Sequence, residues 1–309
     1  MYNGIINVRK EKGFTSHDVV AKMRGILGQK KIGHTGTLDP DAEGVLPVCL
    51  GTGTKLSDML ADTGKEYVAT VLLGVLTDTQ DLSGRILQQK EVQVTGEDVK
   101  RAAESFLGKT MQLPPMYSAI KVNGKKLYEL ARKGQEVERR ERPIEISEIE
   151  ILDMQLPEFT MRVACSKGTY IRTLCNDIGE RLGCFGAMKA LLRTKVSSFH
   201  LEQAHTLAEI EQMRDAGRLN ELIVPVDTMF ADLPGCIVKK PFQRLIENGN
   251  AFYVNQAEIL LPDGKAADAS ALFAGCRLRV YDEETKFYGV YRLLPDNTKC
   301  EPVKMFLER

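Results

Sequence analysis

The chain has 309 residues, 43% of them hydrophobic and 27% charged. That is enough apolar material for a sizeable core, at a length that suggests two domains. Its longest apolar runs fall far short of the roughly 20 residues a membrane helix needs, and Met1–Gly13 has no apolar signal-like stretch. A membrane protein, a fibrous protein and a largely disordered chain are excluded, and a cytoplasmic location is expected.

Residues 4–8 read as a short strand. A helix follows from Thr15, with Val19, Val20, Met23, Ile26 and Leu27 on one face, a capping-box spacing at Thr15 and Asp18, and a stop at Gly28. Residues 33–53 hold Gly33, Gly36, Gly44, Gly51, Gly53, Pro40 and Pro47, a density of breakers that predicts one tightly folded loop. Strands are expected at 66–74 and 84–94, and a helix from Thr95 or Gly96 to near Gly108. Ile144, Ile146, Ile149 and Ile151 mark another strand, with a phase slip that a bulge would explain. Residues 159–165 predict a strand, 170–182 a helix and 206–216 a short acidic helix. Beyond Leu233-Pro234-Gly235 the texture changes to short strands separated by turns, as in a small all-β domain. The expected organisation is α+β, with domains at 1–230 and 231–309.

The 42 basic and 42 acidic side chains cancel overall, but not locally. Residues 118–143 carry a net charge of +4 and 161–200 one of +5, while 144–160 and 201–235 carry −5 each. Basic blocks of this kind can form a phosphate-binding face on a neutral protein. The seven cysteines are scattered, with no zinc-knuckle spacing, and are expected to be free thiols. His17, His34, His200 and His205 have no metal-pair spacing. Gly108-Lys109-Thr110 lacks the earlier glycine of a phosphate loop, because Ala103 stands there. Gly51-Thr52-Gly53 lacks the third glycine of a dinucleotide fingerprint. No cofactor and no metal is expected.

The most specific stretch is 33–47, Gly-His-Thr-Gly-Thr-Leu-Asp-Pro-Asp-Ala-Glu-Gly-Val-Leu-Pro. Asp39 precedes a proline, which pushes its backbone to an extended form. A carboxylate held in that way suits a nucleophile or a base.

This loop resembles the catalytic motif of the pseudouridine synthases of the TruB family. Further segments resemble that family in its own order: 13–20, Lys65-Glu66-Tyr67 with 77–81, 114–121, Lys167-Gly168-Thr169-Tyr170-Ile171-Arg172, and Leu191-Leu192-Arg193-Thr194. The resemblance spans about residues 4–230. It implies a pseudouridine synthase catalytic domain with a mixed, mainly antiparallel sheet. A small β-barrel-like, PUA-type RNA-binding domain would follow it. The implied activity is isomerisation of uridine 55 in the T loop of tRNA to pseudouridine, by base flipping and attack by an aspartate. Asp39 would attack the nucleotide, at the ribose or at the base. Tyr67 would stack on the uracil and help move the C5 proton. Arg172 would keep Asp39 ionised and aimed, with Asp81 as a partner of Arg172. His34 would fill the space of the flipped base, and Leu192 would lie beneath it. Tyr170 and Lys121 would contact the substrate, Lys121 from an RNA-gripping insertion at 118–143. The implied partner is the T-arm stem-loop of tRNA, with no obligate protein partner and a monomeric enzyme. The alternative is a tRNA-binding folding chaperone, with or without catalysis.

Overall fold

The computed structural model describes residues 1–122, 124–268 and 272–307. Of the segments read from the sequence, residue 123 of the insertion and residues 269–271 and 308–309 of the C-terminal part lie outside the described residues.

The first strand, β1 (Gly4–Lys10), leads into α1 (Ser16–Leu27). Thr15 and Asp18 form the expected capping box, and Gly28 closes the helix at φ +59°, a left-handed backbone suited to glycine. The glycine-rich stretch is not one loop. It holds β2 (Ile32–His34) and β3 (Glu43–Leu50), and only 35–42 remain irregular. The breakers mark the ends of these strands, and the run Val45–Leu50 is buried on both faces. Such a strand shows no alternation, so its pattern cannot be told from that of a loop.

After α2 (Ser57–Ala61) comes β4 (Lys65–Leu73), which alternates buried and half-buried residues along its length. A small hairpin of β5 (Val75–Thr77) and β6 (Ile86–Gln89) is followed by α3 (Gly96–Glu104). Residues 90–94 are not strand, and Gly108, expected as a helix stop, opens β7 (Gly108–Gln112). The 118–143 segment forms the hairpin β8 (Lys121–Val122) and β9 (Lys125–Lys126), then α4 (Leu127–Ala131). Next come β10 (Arg142–Gln155), with a register shift between Ile146 and Glu148 at the phase slip of the isoleucines, and β11 (Glu158–Cys165). Then follow α5 (Ile171–Arg181), β12 (Gly186–Val196), β13 (Phe199–His200) and α6 (Leu207–Asp215).

These strands form one mixed sheet in the order β1-β3-β12-β4-β11-β10-β7, antiparallel except where β12 meets β3. One face of β4, β11 and β12 packs under α3 and α5, with Tyr67, Ala69, Val71, Met161, Val163 and Leu191 in that core. On β1 and β3, Ile6, Val8, Leu46 and Val48 pack against α1 and α6, while Ile5, Val45 and Cys49 face the opposite way.

The C-terminal part builds a second sheet from β14 (Gly235–Val238), β15 (Phe252–Tyr253), β16 (Ala257–Leu260), β17 (Ala266–Ala267), β18 (Arg277–Asp282), β19 (Phe287–Leu293) and β20 (Lys299–Met305). Its order is β15-β20-β19-β18-β14-β16-β17, with α7 (Gln243–Glu247) packed against it through Ile246. The sheet curls into a half-barrel. The architecture is α+β, as expected. A shared apolar seam joins the two sheets: Ile5, Val45, Cys49 and Phe230 pack with Val290 and Phe306. All seven cysteines are free and buried. No helix among the described residues is long and apolar enough to cross a membrane.

Candidate active site

Asp39 sits at the crest of the 35–42 loop, between Leu38 and Ala42, whose side chains anchor in the core under α5. The loop's backbone is tied down from several elements. The Leu38 N–H donates to Ser16 Oγ at 2.9 Å, and the Gly13 N–H to the Pro40 carbonyl at 2.9 Å. The Lys10 ammonium, wholly buried at the end of β1, donates to the carbonyls of Glu11, Pro40 and Ala42 at 3.2, 3.0 and 2.5 Å. Burial pushes its pKa down to about 8, despite the raising influence of Asp39 and Glu43.

Arg172 lies in the first turn of α5 and is only 6% exposed. Its Nε stands 3.0 Å from Asp39 Oδ2, and its Nη2 donates to Asp39 Oδ1 at 3.5 Å. The rest of the guanidinium is also engaged: Nη2 donates to the Tyr117 carbonyl at 2.8 Å and Nη1 to the Thr79 carbonyl at 3.1 Å. Nη1 also lies 3.5 Å from Asp81 Oδ2. Asp81 is fixed in turn, its Oδ1 accepting from Thr79 Oγ1 at 2.7 Å and from the Ser83 N–H at 3.0 Å. An arginine with so many fixed acceptors has one geometry, and Asp39 is held by it.

The Asp39 side chain is 40% exposed at its outer edge, but the ground beneath it is dense. Burial raises its pKa above the ordinary carboxylate value, Arg172 opposes this, and Asp81 and Asp41 reinforce it. Burial outweighs the guanidinium in setting the direction of this shift, although Lys10 acts with Arg172 against it.

Tyr67 stands on β4 directly opposite Arg193 on β12, and is buried on the face under α5. Burial raises its hydroxyl pKa, and the Arg193 guanidinium opposite it works the other way. Asp39 is close enough to act on that hydroxyl electrostatically. His34 ends β2, with its ring 5.3 Å from that of His17 in an edge-to-face arrangement. Its Nδ1 accepts from the Gly36 N–H at 3.3 Å, which leaves the neutral ring's proton on Nε2. Burial lowers its pKa, helped by His17 and Arg193. Tyr170 immediately precedes α5. Its backbone exchanges two hydrogen bonds with the Gln112 side chain, at 2.8 and 3.0 Å, and its hydroxyl lies near Arg142 and Arg172.

One expected residue, Leu192, falls elsewhere, while Lys121 lies on the 118–143 segment where it was expected. Leu192 pairs with Val68, so both point to the face opposite Tyr67. The leucine on the Tyr67 face is its neighbour Leu191, which packs in the same core as Leu38 and Tyr67. A motif match one residue out of phase reverses the face in a strand, and nothing in Leu191-Leu192 distinguishes the two by type. Lys121 is exposed on the β8–β9 hairpin, outside the Asp39–Arg172 cluster. The hairpin is continuous with the cluster through Tyr117, whose carbonyl Arg172 holds. Around it, Lys125, Arg132, Lys133, Arg140 and Arg142 project from the segment, while Leu127 and Leu130 are buried.

Sequence reasoning missed Lys10 and Arg193 as members of the site. Lys10 follows Ile6 and Val8 at inward parity on β1, and a lysine at such a position is a readable signal.

The chain matches the model of the TruB family pseudouridylate synthase N-terminal domain over residues 24–171. It matches that of the tRNA pseudouridylate synthase B C-terminal domain over residues 172–231. It is 50% identical to a tRNA pseudouridine synthase B of Lachnoclostridium phytofermentans, over 99% of this chain and all of that one. It is 42% identical to one of Staphylococcus aureus, over 99% of this chain and all of that one. This chain belongs to the TruB family of pseudouridylate synthases. It is therefore an isomerase. Among solved structures it is similar to a chain of an H/ACA RNP bound to a substrate RNA containing 2′-deoxyuridine. The TM-score is 0.71 at 25% identity, covering 99% of this chain and 86% of that one. A chain of a Cbf5-Nop10-Gar1 complex gives a TM-score of 0.70 at 26% identity, covering 99% and 85%. The TruB family match takes in the 35–42 loop, β4 and the residues up to Ile171 of α5 as one region, and Arg172 opens the next.

Proposed function

We propose that this enzyme converts uridine 55 in the T loop of tRNA to pseudouridine, with Asp39 as the attacking group. The observation that carries this reading is the Asp39–Arg172 pair. A carboxylate is fixed on a proline-locked loop by a buried arginine, with its outer edge open to an incoming nucleotide. The family match and the likeness to tRNA pseudouridine synthases over their whole length support it.

In this reading the target base leaves its stack and enters over Tyr67, at a cost of a few kcal/mol of lost stacking. His34, at the rim, fills the vacated place. Leu191 rather than Leu192 forms the apolar floor, because it alone of the two shares the Tyr67 face. Tyr170 lines the entry beside Arg172. The cations of 118–143, Lys121 among them, hold the phosphates of the stem. Residues 1–230 form the catalytic domain, and 231–309 form a PUA-like domain that adds RNA surface. The reaction is an isomerisation. The N1–C1′ bond breaks, the uracil turns, the C5–C1′ bond forms, the bond Asp39 makes to the ribose or the base breaks again with its electron pair returning to the carboxylate, C5 loses a proton and N1 gains one. It consumes no redox equivalent and no nucleotide. The enzyme acts in the cytoplasm as a monomer, without an obligate protein partner.

The test is tritium release from tRNA carrying uridine labelled at C5, with wild type and Asp39→Ala side by side, followed by chemical mapping of pseudouridine. Release by wild type alone, mapped to position 55, is the expected result. Tight tRNA binding without release by wild type overturns the reading and leaves an RNA-binding chaperone. Free uracil among the products points to a hydrolase.

A further inference from the structure

Among the described residues Arg193 is the largest fully buried side chain, 1% exposed. Among the described residues no carboxylate lies within ion-pair distance of it. Its Nε donates to the Val45 carbonyl at 2.7 Å and its Nη2 to the Gly36 carbonyl at 3.3 Å. Tyr67 stands directly opposite Arg193 on β4, and the guanidinium acts electrostatically on the phenol. An arginine without a counter-charge in a dry interior is costly, and burial lowers its pKa accordingly. The compensation available is a negative charge that comes and goes, and the acidic group directly opposite it is the Tyr67 phenol.

We propose that Arg193 is a positioning residue that fixes the Tyr67 oxygen and stabilises its phenolate, so that Tyr67 lends its proton to the departing uracil and later recovers one from C5. The inference rests on the pseudouridine synthase reading and deepens it. Because a guanidinium carries only donors, the phenol opposite it turns its hydroxyl hydrogen away from Arg193 and toward the site. As N1–C1′ breaks, its electron pair stays on the uracil, and N1 takes the Tyr67 proton. The uracil then turns half a revolution about its N3–C6 axis, which exchanges the places of N1 and C5. One oxygen fixed beside C1′ therefore faces N1 first and C5 second. The π pair of C5–C6 forms the new C5–C1′ bond. The phenolate takes the C5 proton, and that C–H pair restores the double bond. The product carries a proton on N1 and none on C5, and Tyr67 ends as it began.

The charged and titratable groups around Tyr67 are Arg193 from β12, Cys165 from β11 and Asp39 from the loop. Around Arg193 stand Lys10, Lys65 and His34, each of whose pKa values it helps to lower. Lys10 and Lys65 are both pushed down to about 8 by burial, so an alkaline limb alone does not identify Tyr67. The readout is the movement of that limb when only the phenol is altered.

The experiment measures kcat against pH by tritium release from labelled tRNA. The proteins are wild type, Arg193→Met, Arg193→Lys, and each of wild type and Arg193→Met with 2,3,5-trifluorotyrosine in place of Tyr67. Arg193→Met is expected to lower kcat about 100-fold, as for loss of one preorganised donor to a developing anion. The lysine variant should fall between. The more acidic phenol should return about tenfold of the loss in Arg193→Met. In the wild-type background it should move the alkaline limb downward. Should Arg193→Met fail to fold, that last shift decides. A limb that stays put on fluorination, or a loss in Arg193→Met that fluorination does not relieve, overturns the inference. Absence of release by wild type instead overturns the enzyme reading on which it rests.

Discussion

Asp39 shows how a candidate catalytic side chain can work against the fold that holds it. Its pKa is raised mainly by burial, so the folded protein binds its proton more tightly than the unfolded chain does. The stability this group contributes is therefore greatest at acid pH and is lost as pH rises through the folded pKa. Asp39→Asn is expected to have a higher Tm than wild type at pH 7 while losing tritium release, and the Tm difference should shrink as the pH is lowered toward the ordinary carboxylate pKa of about 4. A lower Tm at pH 7 would show that the Arg172 contact outweighs desolvation. Lys10 is the reverse case, a buried ammonium that the loop requires. Lys10→Met takes the charged donor from the carbonyls of Pro40 and Ala42, leaving Pro40 only its bond from the Gly13 N–H. The expected cost is about 2–4 kcal/mol in urea unfolding, from the removal of one or two charged hydrogen bonds, and turnover should fall because the crest carrying Asp39 is no longer tied.

At the scale of elements, the site depends on the one place where β3 and β12 run parallel. Gly44 stands opposite Arg193 there, at φ +109°, and a Cβ on it would lie 2.2 Å from the Arg193 carbonyl oxygen and 2.8 Å from its nitrogen. Both the backbone angle and the contact exclude any side chain. Gly44→Ala should separate β3 from β12, displace Arg193, and cost more than about 3 kcal/mol, in the range of severe backbone and overpacking changes. Retention of wild-type Tm and turnover by this variant would show that the strands do not need that approach. The same parity rule that governs this contact decides between Leu191 and Leu192. One residue along a strand is the whole difference between the Tyr67 face and the opposite one.

For the molecule as a whole, the two sheets share a core rather than a linker. Phe230, Phe287 and Phe306 form a ring cluster with centroids 5.5–6.2 Å apart, set against Ile5 and Val45 of the first sheet. Phe306→Ala is expected to cost about 3–5 kcal/mol, as for other buried phenylalanines. It should also split one calorimetric transition into two, since the cluster joins the sheets. The basic face belongs to this scale too. Replacing Lys121, Lys125 and Lys133 by Gln should weaken tRNA binding. The slope of log affinity against log salt should fall by about 0.7–0.9 for each phosphate no longer neutralised. An unchanged slope would remove the 118–143 segment from the RNA interface.

What can be read from the chain alone is local and chemical. The capped helix at Thr15, the bulged strand at Ile146 and the proline-locked Asp39 with its family motifs are all legible, because caps, periodicity and turn residues act over a few positions. The change of texture beyond residue 233 is legible for the same reason. The stretch 33–53 reads as a loop and is not one, since strands buried on both faces carry no alternation. Relations between distant segments come only with the fold. These include the buried Arg172 spanning Asp39, Asp81 and Tyr117, the inward Lys10 beneath the loop, and Arg193 facing Tyr67 from the neighbouring strand. Such contacts arise from strand register and from packing across the sheet, and neither is written in any single stretch of the chain.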